Sequence, residues 1–518
     1  MRNLNDTPHE HPLSSKRSLA AWKRAHGRRG SCDKQGSQDV NILLEVRYAD
    51  KTIGEDPVSL RSYNGELVGP VIEARPGDTL NIFLDNQLPE DPHPGSNVPN
   101  APHGFNITNL HFHGLHVSPT GNSDNVLIAI RPGQQFHYEV KIPLDHPAGT
   151  YWYHSHKHGS GTIQLASGMA GALIIRGDID EVKGIKEAVE RILIFQQLPY
   201  VKGEEDGIGR VETYDNFAPT RWTALGRRIT INGEVEPTFK MKPGEVQRWR
   251  FIYAGLREPI RPRLVKRDPG TGDEVLLPQY QIALDGITTG RLEQVTETEL
   301  YPGYRADVLV RAADENGEAL PEGEYWLVDD ASQSASRDLA RIVVKGKKTK
   351  MKLPREEDLA PLAPFKNIED DELTNSDDPQ LAAFDIDLST GSPVFTVNGK
   401  SFDPHAPPRK LKLGAVEKWL VSSTQIAGHP FHIHVNPFQF TRDDGTIVWK
   451  DTLFIPPNQT LELRTRYERY IGVFMLHCHI VEHADLGMAE TVEILPPSNA
   501  HEHEHSPPPA PEEEHGPH

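Results

Sequence analysis

Apolar and polar residues alternate along most of the chain, the period of a strand with one buried face. "PVIEARPGDTLNIFLDN" (70–86), "FKMKPGEVQRWRFI" (239–252) and "LKLGAVEKWLV" (411–421) each read as a turn followed by such a strand. "ITING" (229–233) and "FTVNG" (395–399) precede the second and third copies. A later repeat links "GTYWYHSH" (149–156), "GEYWLVDD" (323–330) and "GVFMLHCH" (472–479). One β-unit present three times explains both series, and strand-rich units of this size are usually sandwiches. The fold class is therefore all-β. The expected division is 39–180, 181–348 and 381–497, with a linker at 349–380. Residues 1–38 are polar and basic and read as a disordered leader. Residues 498–518, a His/Glu/Pro-rich stretch, read as a disordered tail that binds metal loosely at most.

Composition narrows this picture. Gly (42) and Pro (43) suit many turns between short strands rather than long helices. A net charge of −19 disfavours nucleic acid and anionic membrane surfaces as partners. No run of eighteen apolar residues predicts a membrane span. "HGRRGSC" (26–32) holds a twin arginine, but the polar "DKQGSQD" follows it where an export signal needs an apolar stretch. The 2 cysteines, Cys32 and Cys478, make no disulfide framework, and Cys32 reads as an incidental exposed thiol.

The chemistry lies in four His-X-His triplets: His111/His113, His154/His156, His432/His434 and His477/His479. On a strand, residues two apart face the same side, so each triplet aims two imidazoles at one point. A single pair is often an incidental surface feature. Four pairs, two in each outer unit and none in the middle one, imply a cluster of several ions, because eight imidazoles exceed what one ion takes. The middle unit, with "LVDD" at the corresponding place, is expected to be a metal-free spacer. Imidazole suits copper, zinc, iron and nickel alike, so the pairs alone do not name the metal.

Cys478 narrows the choice. With His477 and His479 facing the cluster, Cys478 faces the opposite side of the same strand. His429, His483 and Met488 stand near it in sequence. Two imidazoles, a thiolate and a weak thioether form the ligand set of a blue copper site. The strand then joins that site covalently to the cluster through His477 and His479, a route for electrons. The alternative for Cys478, a small buried hydrophobe, leaves the ligand spacing unexplained.

With "HFHG", "WYHSH", "HPFHIH" and "HCHIVEHADLGM" in this order, residues 40–497 resemble a three-domain multicopper oxidase of the laccase type. The resemblance implies three cupredoxin-like Greek-key domains, four coppers, and oxidation of a small reducing substrate coupled to reduction of O2 to water. It implies a type 1 copper on His429, Cys478, His483 and Met488. It assigns His111 and His432 to a type 2 copper, and His113, His154, His156, His434, His477 and His479 to a type 3 pair. It also implies a periplasmic or extracellular location, although no signal is legible. A monomer is expected.

A methionine axial ligand implies a modest potential, which favours electron-rich phenols or aromatic amines. The 6 methionines are scattered, so the methionine-rich insertion of cuprous oxidases is missing. Cuprous or ferrous ion and bilirubin remain alternatives on the same scaffold. Rivals of other classes are a copper-free relative, a nitrite reductase and a copper-sequestering protein. The complete ligand set argues against the first, and the split His-X-His pairs against the second. Tail deletion would test the third.

Reduction of O2 consumes protons. Relatives by resemblance place a carboxylate after the first histidine motif and another directly after the second type 1 histidine. The latter position here is Ala484. Asp124 is the expected proton donor, with Glu482 and Asp485 as fallbacks. His116 and His158 are expected to act as hydrogen-bonding groups beside the ligands. His103, His137, His146 and His405 are expected to be structural or surface residues.

Overall fold

Three Asn-Gly turns show how the repeated units are built. Asn64–Gly65, Asn232–Gly233 and Asn398–Gly399 all have positive φ at both positions, the conformation of a type I′ hairpin turn. In each, the asparagine Oδ1 accepts from a backbone N–H of the unit's leading strand: Glu45, Ile194 and Ala383. Its amide also donates to the carbonyl two residues earlier, at Leu43, Ile192 and Leu381. The copy at Asn64 completes the series that the sequence shows at only two places. Gly77, Gly244 and Gly414 likewise share a left-handed φ at the three matching turns, a conformation glycine adopts without steric cost.

The computed structural model describes residues 37–91, 98, 100–225, 228–331, 337–389, 391–424 and 427–497. Cys32, the tail and nearly all of the leader lie outside the described residues. Among these residues the strands form six sheets. One set of parallel pairings recurs three times: Asp39–Ile53 with Thr79–Asn86, Val189–Gln197 with Val246–Ala254, and Gln380–Asp387 with Val416–Ser423. The facing sheets repeat another: Ile72–Ala74 with Ala170–Ile175, Thr238–Met241 with Asp338–Val344, and Arg409–Lys412 with Ala489–Leu495. The all-β expectation holds.

Strands Gly149–His154, Gly323–Asp329 and Gly472–Cys478 occupy corresponding places in the second sheet of each set. Each set closes over its own buried apolar cluster, around Phe112, Trp249 and Trp419 respectively. Burying a large apolar side chain contributes roughly 1.5–3 kcal/mol, which anchors these strands. The short hairpin Val201–Lys202 and Gly209–Arg210 reaches back to the first sheet, where Gly209 pairs with Val58. Among the described residues no helix is long and apolar enough to cross a membrane.

Candidate metal centres

Strand His111–His113 pairs antiparallel with Gly149–His154, placing His111 opposite His154. Strand His429–Ile433 pairs with Gly472–Cys478, placing His432 opposite His477. The two strand pairs meet face to face although more than 300 residues separate them in sequence. His111 stacks on His434 at 4.0 Å, and His113 on His432 at 3.9 Å. The ligand nitrogens of His111, His113 and His154 lie within 4.8 Å of one another, as do those of His111, His432 and His434, and those of His156, His434 and His477. His479 Nε2 joins the first group, 3.2 Å from His113 Nδ1. All eight expected cluster histidines therefore converge, as the i, i+2 reading requires.

The outer nitrogens of His111, His154, His432 and His477 are held by acceptors. His154 Nδ1 meets the Ser155 carbonyl at 2.9 Å, His432 Nδ1 the Asp451 carbonyl at 2.8 Å, and His477 Nδ1 the Cys478 carbonyl at 2.8 Å. His111 Nδ1 sits 2.9 Å from Asp124 Oδ1. Burial holds the rings neutral, pushing His154 down to about 3 and His477 to about 4. A neutral imidazole that donates outward presents a bare lone pair inward. The Nε2 atoms of His111, His154 and His432 are buried with no hydrogen-bond partner. His477 Nε2 lies 2.9 Å from His156 Nε2 and 3.1 Å from His434 Nε2. Converging buried lone pairs are unfavourable without a cation, so this donor set fits metal ions.

On the other face of the same strand, Cys478 Sγ is 3.5 Å from His429 Nδ1 and 3.8 Å from His483 Nδ1. The two imidazole nitrogens are 3.2 Å apart. Burial pushes the thiol above its usual range and His429 down to about 4. A buried thiol loses its proton only to a compensating positive charge, and two neutral imidazoles beside it suit a soft metal. Met488 is fully buried in the same apolar cluster, and its carbonyl accepts from the Cys478 N–H. His429 is sealed at 0% exposure, with the Phe384 ring beside it and the strand Thr452–Ile455 paired to its own strand. His483 keeps a partly exposed edge beside Phe395.

The carboxylates separate by environment. Asp124 is buried, accepts from the Phe112 N–H at 2.9 Å, and is pushed up to about 8 by desolvation. Asp485 accepts from Gly159 N, Thr162 N, Thr162 Oγ1 and Tyr214 Oη. Glu482 pairs with Arg257. Both of these hold neighbouring segments together.

Among the other histidines, His116 Nδ1 donates to the Val435 carbonyl at 2.5 Å, and His158 Nε2 meets Asn100 Oδ1 at 3.0 Å. Val435 follows His434 with φ 54°, a conformation rare for a β-branched residue. His146 is buried and accepts from the His116 N–H, His103 bonds locally to the Ala101 carbonyl, His137 meets Asn81 Oδ1 on the paired strand, and His405 is exposed. Sequence reasoning missed Asp451, Thr452 and Arg305, which contact cluster histidines or each other. The legible signal was "KDT" (450–452), three polar residues at the head of an apolar strand.

Family models described as multicopper oxidase match residues 97–179 and 371–498. A multicopper oxidase of Staphylococcus aureus is 24% identical over 442 residues, covering 83% of each chain. A laccase of Haloferax volcanii is 24% identical over 496 residues, covering 88% of this chain and 81% of its own. The solved structure of a Campylobacter jejuni multicopper oxidase, titled a metallo-oxidase, superposes with TM-score 0.66 at 24% identity, covering 89% of this chain and 96% of that one. With four histidine pairs and a buried thiol in place, the chain belongs to the multicopper oxidases of cupredoxin fold. It is an oxidoreductase that uses copper, takes O2 as acceptor and draws electrons from a reducing substrate.

Proposed function

We propose that the protein is a laccase-like oxidase of electron-rich phenols or aromatic amines, holding four coppers and reducing O2 to water. One observation carries this reading: Cys478 meets His429 and His483 on one face of a strand whose next residues, His477 and His479, enter the eight-imidazole cluster on the other. His429, Cys478, His483 and Met488 would hold the type 1 copper. His111 and His432 would hold the type 2 copper, and the other six histidines the type 3 pair. When bound, the coppers supply one-electron oxidation at the first site and four-electron reduction of O2 at the cluster.

The chain's own residues do the rest. The partly exposed edge of His483 receives the donor, and the Cys478 backbone links that site to both cluster histidines. The division into units 39–180, 181–348 and 381–497 is part of this proposal. So is the monomeric state.

Asp124 is the carboxyl nearest the type 2 histidine His111, and it carries the proton that O2 reduction draws in. Asp124→Asn keeps the shape and removes the acid. Turnover is expected to fall by about 10²-fold, the usual scale for general acid catalysis, with the larger loss at higher pH, where solvent supplies fewer protons. The blue absorption stays. Steady-state rates across pH check this, and wild-type rates throughout would assign the role elsewhere.

The substrate class is tested by comparing turnover on a dimethoxyphenol, an aromatic diamine, Cu(I), Fe(II) and bilirubin. The phenol and the diamine are expected to lead. Clear preference for Cu(I) or Fe(II) would make the protein a metallo-oxidase, the description the Campylobacter structure carries.

A further inference from the structure

Arg305 opens the strand Arg305–Arg311 of the middle unit and is fully buried. All five of its N–H donors are engaged. Nη1 reaches Asp451 Oδ1 at 2.8 Å and Nη2 reaches Asp451 Oδ2, a bidentate pair. The remaining donors meet the carbonyls of Thr150, Gly303 and Asp285. Thr150 lies on the strand that ends in His154.

Asp451 in turn touches two cluster histidines from opposite ends of the chain. Its Oδ1 is 3.1 Å from His113 Nε2, and its carbonyl accepts from His432 Nδ1 at 2.8 Å. The Thr452 hydroxyl bridges the same two rings, 3.2 Å from His113 Nε2 and 3.1 Å from His432 Nδ1. Asp285 fixes the other side of the pair, accepting from the backbone N–H groups of Asp451 and Thr452 at 3.3 Å and from Lys450 Nζ at 3.0 Å.

We propose that Arg305 is a positioning residue for the metal cluster: acting through Asp451, it sets the ring planes of His113 and His432 and keeps His113 donating from Nε2, so that its Nδ1 faces inward. His113 is the ring for which this matters most, because its Nδ1 lies toward His479 while its Nε2 points outward. The ring presents that nitrogen inward only while an acceptor outside holds the Nε2 proton. A lone Asp451 would rotate or repel its carboxylate neighbour Asp285, and the guanidinium fork prevents both. The middle unit, expected to be a spacer, therefore completes the cluster without supplying a ligand. Gly303 supports this, since a Cβ there would lie 3.0 Å from the His479 ring.

This inference rests on the copper assignment proposed above, which wild-type stoichiometry tests alone: fewer than four coppers per chain would remove that assignment. The test of Arg305 compares copper-loaded wild type with Arg305→Met in a chelator titration, reading both copper retained per chain and the visible absorption of the Cys478 site. Loss of an outer partner typically weakens metal binding 10–100-fold. The cluster coppers of Arg305→Met are expected to leave at roughly 10–100-fold less chelator, while the colour fades at the wild-type concentration. Arg305→Lys, which keeps the charge but not the fork, is expected to show a smaller shift in the same direction. It carries the test if the methionine variant does not fold. Cluster and colour lost together, or both unchanged from wild type, would overturn the proposal.

Discussion

Cys478→Ser is expected to abolish the strong visible absorption of the copper-loaded protein and to reduce oxidation of phenols by more than about 100-fold, beyond what losing an outer partner costs. The thiolate is the only soft anionic ligand among the described residues of that site, with the imidazoles 3.5 and 3.8 Å from its sulfur. A hydroxyl of similar size preserves the packing but stays protonated and hard, so it neither gives charge-transfer colour nor couples the site to its strand. Because His477 and His479 remain, the cluster keeps its coppers. The expected product is a colourless protein short of one copper, read by absorption and metal analysis. A serine variant that still oxidised a dimethoxyphenol at the wild-type rate would contradict electron entry through this residue.

Asp485→Ala is expected to lower stability by about 3 kcal/mol or more, because it leaves several hydrogen-bond donors without their shared acceptor. Four donors converge on this carboxylate, two of them backbone N–H groups at the start of the helix Gly161–Ala166, and one the partly buried Tyr214 hydroxyl at 2.5 Å. Alanine strands all four where water does not enter, and each stranded group costs roughly 1–3 kcal/mol before relaxation. The melting temperature should fall by several degrees in both metal-free and copper-loaded protein, because the network does not depend on metal. An unchanged melting temperature would mean that Asp485 serves the reaction rather than the interface.

Much of this was legible because it obeys a local period. The alternation that predicts strands also predicts that His111 and His113 share a face and that Cys478 opposes His477, and each holds in three dimensions. The Asn-Gly turns at 232 and 398 were readable as a dipeptide. The copy at 64 escaped because no apolar pattern like "ITING" precedes it. What stayed hidden depends on distant pairing. Nothing local tells that Arg305 meets Asp451, 146 residues on, or that Asp485 caps a helix 323 residues earlier. Burial was equally hidden. His429 and His483 look alike in sequence, yet packing seals the first and leaves the second with an open edge.

The central claim is that one strand joins a thiolate copper site to a cluster held by eight histidines. It is tested most directly by loading the protein with copper, removing loosely bound metal, and measuring copper per chain together with the visible spectrum. The account predicts four coppers per chain and an intense blue absorption. A colourless protein that retains one copper or none would contradict it.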